Sequence, residues 1–561
     1  MKKFLLLMVY CFFAYTVSAQ IQNVFLSNNK IVEYQKAEWN IRLTADWVNP
    51  YLQEDISLDM LLTSSSGKKI VLPCYYESGE SGKESLWKAR FAPQERGIYT
   101  YVFQLCKAGR VAYVSKLASF VSNISQKHGF LHVKNNWVLQ FDDGKFFRGI
   151  GEDICWESRA NDDSKFFKEL HQNPKYNYDY MLSSLAKHGG NFYRTWICPW
   201  NLPIDWKSGF NSNRYSNSDN YYNPSAVEKL DSLVTLSDSL GLYMMLTLGQ
   251  GAYEVSNGGF ATSVADFFVN PQSKVQYKNR LRYIVARWGY SSSVGAWEFF
   301  NEVDNVQFAN SNAPISAVSI VQWHDEMSTY LKSIDIYGHI VTTSISHRDL
   351  KGLNSLANID INQKHIYKNN FIIPATIVKY EKDYQKPYVI GEYGYEYDWQ
   401  KNFNLFAKEM DSDFKRGLWY GLFSSTPILP MSWWWEYFDA RGTDAYLARV
   451  KRISEEMLKT GKGSFEKIEV KVSDSLVKVF GVTCGSKTFI YVYNATGEAK
   501  QLAVAIPLKA NNSCMYKLYD CESGIYSIDK KVKSINDQLG INNIRLAGKS
   551  DVILIVNNKA R

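Results

Sequence analysis

The sequence predicts an α/β protein, a closed parallel (β/α)8 barrel with a β-sandwich at each end. Three observations carry that prediction. Short apolar runs alternate with amphipathic helical stretches through the middle of the chain, which is the signature of parallel α/β architecture. Both ends instead show short alternating segments broken by turn residues, as β-sandwiches do. Two of the central runs close on a glutamate, Trp297-Glu298-Phe299-Phe300-Asn301-Glu302 and Tyr388-Val389-Ile390-Gly391-Glu392-Tyr393-Gly394, and strand ends are where a parallel barrel keeps its chemistry. A chain of 561 residues, 45% apolar and 15% aromatic, has ample material for several packed cores. Its net charge of +8 is small and dispersed, so charge gives no argument for a nucleic-acid partner.

Residues 1–19 read as a signal peptide: Lys2 and Lys3, an apolar core from Phe4 to Tyr15, then Val17-Ser18-Ala19 before Gln20. A secreted or periplasmic protein is expected, without a membrane anchor, because no later stretch reaches about 18 uninterrupted apolar residues. Cys11 lacks the small residues that precede a lipid-attachment site, so no lipoprotein is expected. Residues 20–125 alternate as in Trp39-Asn40-Ile41-Arg42-Leu43, with breaks at Asn49-Pro50, Ser66-Gly67 and Arg96-Gly97, and form the first sandwich. The barrel is expected over residues 126–460. A connector from Ser122 to Lys127 leads into a hairpin, Val138 to Phe147, turning at Asp143-Gly144. Barrel strands follow at Phe147–Gly151, Asn191–Trp196, Tyr243–Leu248, the run ending at Glu302, His339–Ser346, Gln363–Tyr367, Tyr388–Gly394 and Ile428–Trp435. Ala226–Leu240, Lys274–Trp288 and Ala317–Ile334 have helical spacing, the second with a basic face expected to meet solvent. Residues 461–561 return to strands, as in Phe489-Ile490-Tyr491-Val492-Tyr493 and Val552-Ile553-Leu554-Ile555-Val556, and predict a second, smaller sandwich.

Paired carboxyls at strand ends point to sugar cleavage. A glycosidic bond breaks through an oxocarbenium-like transition state, which needs one neutral acid for the departing oxygen and one carboxylate for the anomeric carbon. Glu302 follows a wall of aromatics that would raise its pKa by desolvation, which suits the general acid/base. Glu392 lies among Gly and Tyr donors that suit an anion, so it is the expected nucleophile. The loops after the strands are long and aromatic. Trp156, Trp196, Trp200, Tyr253 and Trp399 are candidates to stack on sugar faces, with Gln250 as a polar partner; ordinary packing is the bland alternative for each. Side chains alternate along a strand, so Trp433 and Trp435, rather than Trp434, are expected to face the site. Of the rival carboxyls, Glu152 and Glu436 are candidates for sugar hydroxyls, and Glu298 is weakest because it sits deeper in the barrel. Metal and cofactor signatures such as Cys-x-x-Cys or His-Glu-x-x-His do not occur, and neither is expected. Cys74, Cys106, Cys155, Cys198, Cys484, Cys514 and Cys521 remain after signal removal, an odd number; Cys74 with Cys106 or Cys514 with Cys521 are open pairings, as are free buried thiols. Asn494-Ala495-Thr496 fits the N-glycosylation pattern.

In this order the segments resemble the retaining glycoside hydrolases of clan A, the cellulase-like (family five-like) TIM barrels. Gly189-Gly190-Asn191-Phe192-Tyr193-Arg194 looks like their second strand with its Arg, His365-Ile366-Tyr367 like the sixth, and Ser432-Trp433-Trp434-Trp435 like the eighth. The resemblance covers roughly 330 central residues, a size that suits such a barrel with insertions. It implies that Arg194 orients the nucleophile, Asn301 bonds the sugar 2-hydroxyl, His365 and Tyr367 flank Glu392 with Tyr367 donating to it, and an eighth-strand Trp floors the sugar. Trp87-Lys88-Ala89-Arg90-Phe91-Ala92-Pro93 with Gly97-Ile98-Tyr99-Thr100-Tyr101 resembles the Ig-like domain of unknown function found ahead of such barrels. The expected activity is that of a secreted retaining β-glycoside hydrolase working by double displacement on a carbohydrate substrate, an endo-acting glycanase of the cellulase or mannanase kind. An exo-acting β-glycosidase of the galactosidase or mannosidase kind and a non-catalytic glycan-binding protein are the alternatives.

Overall fold

A computed structural model describes residues 19–28, 30–249, 261–307, 314–507, 513–535 and 538–558. The chain forms two compact units, one running up to Lys127 with Val275–Tyr290 and Ser333–Ile336, the other holding the remainder.

In the first unit, alternation along Ala37–Thr44 buries Ala37, Trp39, Ile41 and Leu43 and turns Glu38, Asn40 and Arg42 away. This strand pairs with Gln20–Leu26 and Glu84–Phe91 in a four-stranded sheet. A six-stranded sheet that includes Ile56–Thr63, Gly97–Lys107 and Ala118–Asn123 faces it. The Trp39 ring lies 5.7 Å from Tyr101 and 5.3 Å from Phe120 of that second sheet, so the core is the apolar layer between them. The helix Pro271–Trp288 departs from expectation. Its basic face is not solvated: Arg282 donates to Asp59 at 2.6 Å and Arg287 to Glu77 at 2.8 Å, because carboxylates of the same unit meet it.

In the second unit the parallel barrel is present. Gly151–Asp153, Phe192–Trp196, Tyr243–Thr247, Val294–Glu298 and Ile340–Thr342 run side by side, and Ser344–Ile345, Asn362–Tyr367 and Tyr388–Gly394 continue the order. Residues 428–432 close the ring through parallel bridges, Gly149 to Ile428, Glu152 to Ser432 and Tyr393 to Ser432. Three strand positions shift. The fourth strand ends at Glu298, four residues short of Glu302. Phe146–Phe147 pairs with Leu139–Phe141 in the hairpin below the barrel, and the first barrel strand starts later, at Gly151. The eighth run stops being a strand after Ser432: Trp434 takes φ 72° and the helix Trp435–Arg441 begins. Helices Pro224–Leu240 and Ala317–Ile334 fall where the apolar spacing places them.

The barrel interior divides by height. Its lower layer is apolar, with Phe192, Met245, Ala296, Ile340, Val389 and Ile428 packed on Leu139 and Phe141 of the hairpin. Its upper layer carries charge. Gly391 matters to that layer, because a Cβ there would meet the Gln363 side chain at 2.2 Å, and Gln363 donates to Glu298.

The C-terminal strands form one nine-stranded sheet that folds over on itself. Lys530–Ile535 makes the turn, pairing first with Ser513–Asp520 and by its last residues with Gln538–Leu546, and Ile490, Val492, Val504, Ile541 and Leu554 fill the space enclosed. Asn494 is fully buried with its amide donated to Glu498 and Ala547 carbonyls, so the folded chain offers it to no glycan. The seven cysteines from Cys74 to Cys521 are all free thiols. Among the described residues, no helix is long and apolar enough to cross a membrane.

Candidate active site

Arg194 organises the upper layer. Alternation on the second barrel strand sends Tyr193 outward, where its hydroxyl meets Ser237, and Arg194 inward, where it is fully buried. Its Nε donates to Glu298 at 2.6 Å and Nη2 donates to the other Glu298 oxygen at 2.9 Å. Nη2 also reaches Asn301 Oδ1 at 2.8 Å, and Nη1 reaches Glu392 at 2.7 Å and Asp153 at 3.3 Å. Thr247 and Gln363 donate to Glu298 as well. A bidentate Arg–carboxylate pair of this kind fixes the guanidinium plane, and the remaining N–H groups then aim at the site.

Glu392 is the best-supported anion of the layer. One oxygen accepts from Arg194, the other from the Tyr367 hydroxyl at 2.7 Å, and His365 Nδ1 lies 3.3 Å away. Burial alone would push this carboxyl up; His365, Arg194 and Tyr367 outweigh it and hold Glu392 well below the usual carboxylate range. His365 responds in the opposite sense. Burial disfavours its charged form, but Glu392 and Glu302 raise it to about 10, so the ring is an imidazolium between two glutamates. The Tyr367 hydroxyl, pushed well up by burial and by Glu392, stays a donor.

Glu302 stands one residue past Asn301 with φ 48°, and its peptide N–H donates to Ser344. Its carboxyl accepts from His365 Nδ1 at 2.9 Å and from Asn305 at 3.0 Å. The expected aromatic enclosure is not what surrounds it: the side chain is 24% exposed at the cavity edge, because the αL turn carries it out past Phe299 and Phe300, which pack on Trp323 and His324 instead. One oxygen each of Glu302 and Glu392 and His365 Nδ1 or Nε2 lie within 4.8 Å of one another. The same three side chains are the set that would suit a cation; Nδ1 already holds a proton between the carboxylates, and a cation would have to displace it.

These groups open on a cavity of about 1330 Å3. It brings together Glu302, Glu392, Asn301, His365, Tyr367, Trp196, Trp433 and Trp435, and also Trp156, Trp200 and Trp399. Trp156 is the hub of the aromatic end, with Trp196, Trp200, Trp433 and Trp435 edge-on around it at 5.1–5.8 Å. Trp434 borders the cavity too, its indole N–H bonded to the Glu396 carbonyl. Strand alternation does not govern this trio, since Trp434 and Trp435 belong to a helix start. Tyr253 and Gln250 lie outside the described residues.

Two residues depart from expectation. Glu152 is absent from the cavity wall. It faces the outside of the barrel, buried near Asp444 and Asp439, with one oxygen unpartnered and its carboxyl raised well up by burial and those acids. Its neighbour Asp153 takes the inward position beside Arg194, which the register fixes by pairing Asp153 with Arg194. Glu298, read as the weakest carboxyl because of its depth, is the one that anchors Arg194. Asp153 and Gln363 carry no motif of their own; only a known register would have found them.

A domain family of unknown function, DUF5060, matches residues 30–105. The chain is 25% identical over 225 residues to a mannan endo-1,4-β-mannosidase A of Podospora anserina, covering 34% of this chain and 57% of that one. It is also 25% identical over 186 residues to mannan endo-1,4-β-mannosidase 4 of Solanum lycopersicum, covering 27% and 45%. The matches thus span about half the length of these relatives. A glycoside-hydrolase-like protein of Bacteroides vulgatus superposes with TM-score 0.65 at 15% identity, over 94% of this chain and all of that one. The fold is the (β/α)8 barrel seen in glycoside hydrolases.

Proposed function

We propose that this chain is a retaining β-glycoside hydrolase, an endo-acting glycanase with β-1,4-mannan as its first candidate substrate. The observation that carries the reading is the approach of Glu302 and Glu392 within 4.8 Å at the top of the fourth and seventh strands, inside one aromatic-walled cavity. Carboxyls about 5–5.5 Å apart serve a double displacement, whereas wider pairs admit a water for inversion. Glu392, charged and pinned by three donors, attacks the anomeric carbon while Glu302 gives its proton to the departing oxygen. The glycosidic C–O bond breaks and a glycosyl ester forms on Glu392. Glu302 then takes a proton from water, whose oxygen displaces Glu392 and restores both carboxyls. His365 Nδ1, 2.9 Å from Glu302, fixes the position of that carboxyl beside Glu392.

Endo-action is supported by the size of the cavity, larger than the 300–1,000 Å3 usual for small ligands. Its edges present Phe210, Ile372, Tyr397 and Trp399, each more than two-fifths exposed, as apolar faces for further sugar units. The mannan assignment comes from the names of the relatives. Export by residues 1–19 belongs to the same proposal.

The test is product profiling of the full chain on β-mannan, glucan, xylan and galactan oligosaccharides, together with a 2-deoxy-2-fluoro glycoside of the sugar cleaved. A mixture of internal products and a covalent adduct on the peptide holding Glu392 are expected. Release of single terminal sugars alone would replace endo- with exo-action, and an adduct on another residue would remove Glu392 as nucleophile.

A further inference from the structure

Beyond the catalytic pair, the cavity wall carries a buried carboxyl whose accepting capacity no side chain among the described residues uses. Glu436 lies in the first turn of the helix Trp435–Arg441 and is 3% exposed, on the lining. It accepts from its own peptide N–H, and among the described residues no side chain donates to it. The basic side chains nearby are engaged elsewhere. Asp162 takes both Arg159 and His171 as partners and accepts from Ser164, so the loop that carries them is tied to Asp162 rather than to Glu436. His171 in turn lies flat on Trp434, with rings 12° apart.

A buried carboxyl with open oxygens carries a desolvation cost that a ligand donor would relieve. Its surroundings specify the donor. Trp434 and Trp435 directly precede Glu436 in sequence, and Trp156 and Trp433 complete an aromatic wall at the same end of the cavity. An apolar ring face beside an acceptor suits a pyranose, whose C–H surface stacks while its hydroxyls point outward to donate. The end of the cavity is set by Glu302, which must reach the departing oxygen. The departing sugar therefore lies on its side, with Asn305, Ser346 and His347, and the tryptophan end receives the sugar retained on Glu392.

We propose that Glu436 is a specificity-determining residue, a built acceptor for hydroxyl groups of the sugar units on the retained side of the scissile bond. The inference rests on the hydrolase reading above. Glu436 takes no part in bond breaking, so its loss acts through the sugars it holds.

The test compares the wild type with Glu436→Gln and Glu436→Ala, full-length, on the best oligosaccharide of the panel and on analogues lacking one retained-side hydroxyl at a time. Glu436→Ala is expected to lower kcat/KM on the parent sugar about 10–100-fold, the cost of leaving one or two sugar hydroxyls without their acceptor in a buried site. For the analogue lacking the contacted hydroxyl, wild type and variant should be equal. Glu436→Gln, of the same shape, keeps the fold if the alanine variant does not, and should show the same convergence in part. An unchanged kcat/KM, or an equal penalty in wild type and variant for every analogue, overturns the role of Glu436 while leaving the hydrolase standing. Absence of wild-type turnover on the whole panel overturns the hydrolase reading and this inference with it.

Discussion

Glu392, inside the barrel, and Asp413, outside it on the helix Ala407–Leu422, are buried to the same degree, 4% and 3% exposed, yet ionise in opposite ways. Glu392 is met by His365, Arg194 and Tyr367 and held low. Asp413 has one oxygen without a partner, and burial raises it to about 7 against the pull of Arg416. Glu152 repeats the outer pattern more strongly, surrounded by acids alone. The difference teaches that the balance of donors and neighbouring charges, and not depth, selects which carboxyl of this barrel is an anion.

The largest expected effect breaks the inner set. Glu392→Ala should remove turnover on the oligosaccharide panel while the circular dichroism of the fold is kept, and Glu302→Ala should lower kcat about 10^2–10^4-fold, the usual worth of a general acid/base. Added azide should restore part of the Glu392→Ala rate as an α-glycosyl azide. Full residual hydrolysis in Glu392→Ala would end the comparison as drawn.

Arg194→Met comes next. It strips the guanidinium that Glu298, Glu392 and Asp153 share, and urea denaturation should report a loss of about 3–5 kcal/mol, the cost of breaking a buried ion-pair set. A stability near wild type would mean that the inner carboxyls do not depend on it.

Asp413→Asn sharpens the outer case. The folded-state pKa of about 7 lies above the ordinary 3.8, so between these values the folded protein holds a proton that the unfolded chain has released. Asp413 therefore favours the folded state fully below about pH 4, and that contribution is lost as pH rises through about 7. The variant should match wild type at pH 4 and exceed it at pH 8 by about 4 kcal/mol in chemical denaturation, the rise from 3.8 to about 7 taken at about 1.4 kcal/mol per pH unit. Equal curves at both pH values would show that Asp413 finds a partner.

Asp153→Asn should do least. Its carboxyl lies beside Arg194, but burial and the Glu392 anion raise it well above the usual range, so the native group is the neutral acid and an amide reproduces it. Activity within about threefold of wild type is expected, under 1 kcal/mol in barrier terms. A hundredfold loss would make Asp153 an anion and a third member of the inner set.

Much of this arrangement was legible in the sequence because strand ends and periodicity are local properties. Glu392 and His365 with Tyr367 fall on strands that apolar spacing identifies and line the cavity; Arg194 after Gly189-Gly190 falls on such a strand beneath it, and Glu302 lines it from four residues past the strand Val294–Glu298. The direction of a side chain was legible only where register was. Glu152 and Asp153 sit in a three-residue strand, too short for alternation to say which one turns inward, and the pairing of Asp153 with Arg194 decides it. Trp434 and Trp435 read as strand because they are apolar and aromatic, yet the αL residue that starts the helix there has no sequence mark. The basic face of Pro271–Trp288 read as solvated because its carboxylate partners, Asp59 and Glu77, are about two hundred residues away in the chain.

The spacing of Glu302 and Glu392 is tested most directly by the anomer first released on hydrolysis, followed by proton NMR before mutarotation. A β-linked oligosaccharide should yield the β-anomer, since two displacements restore the configuration. Release of the α-anomer would mean a single displacement by water, and the approach of these carboxyls to within 4.8 Å would then not be the catalytic geometry.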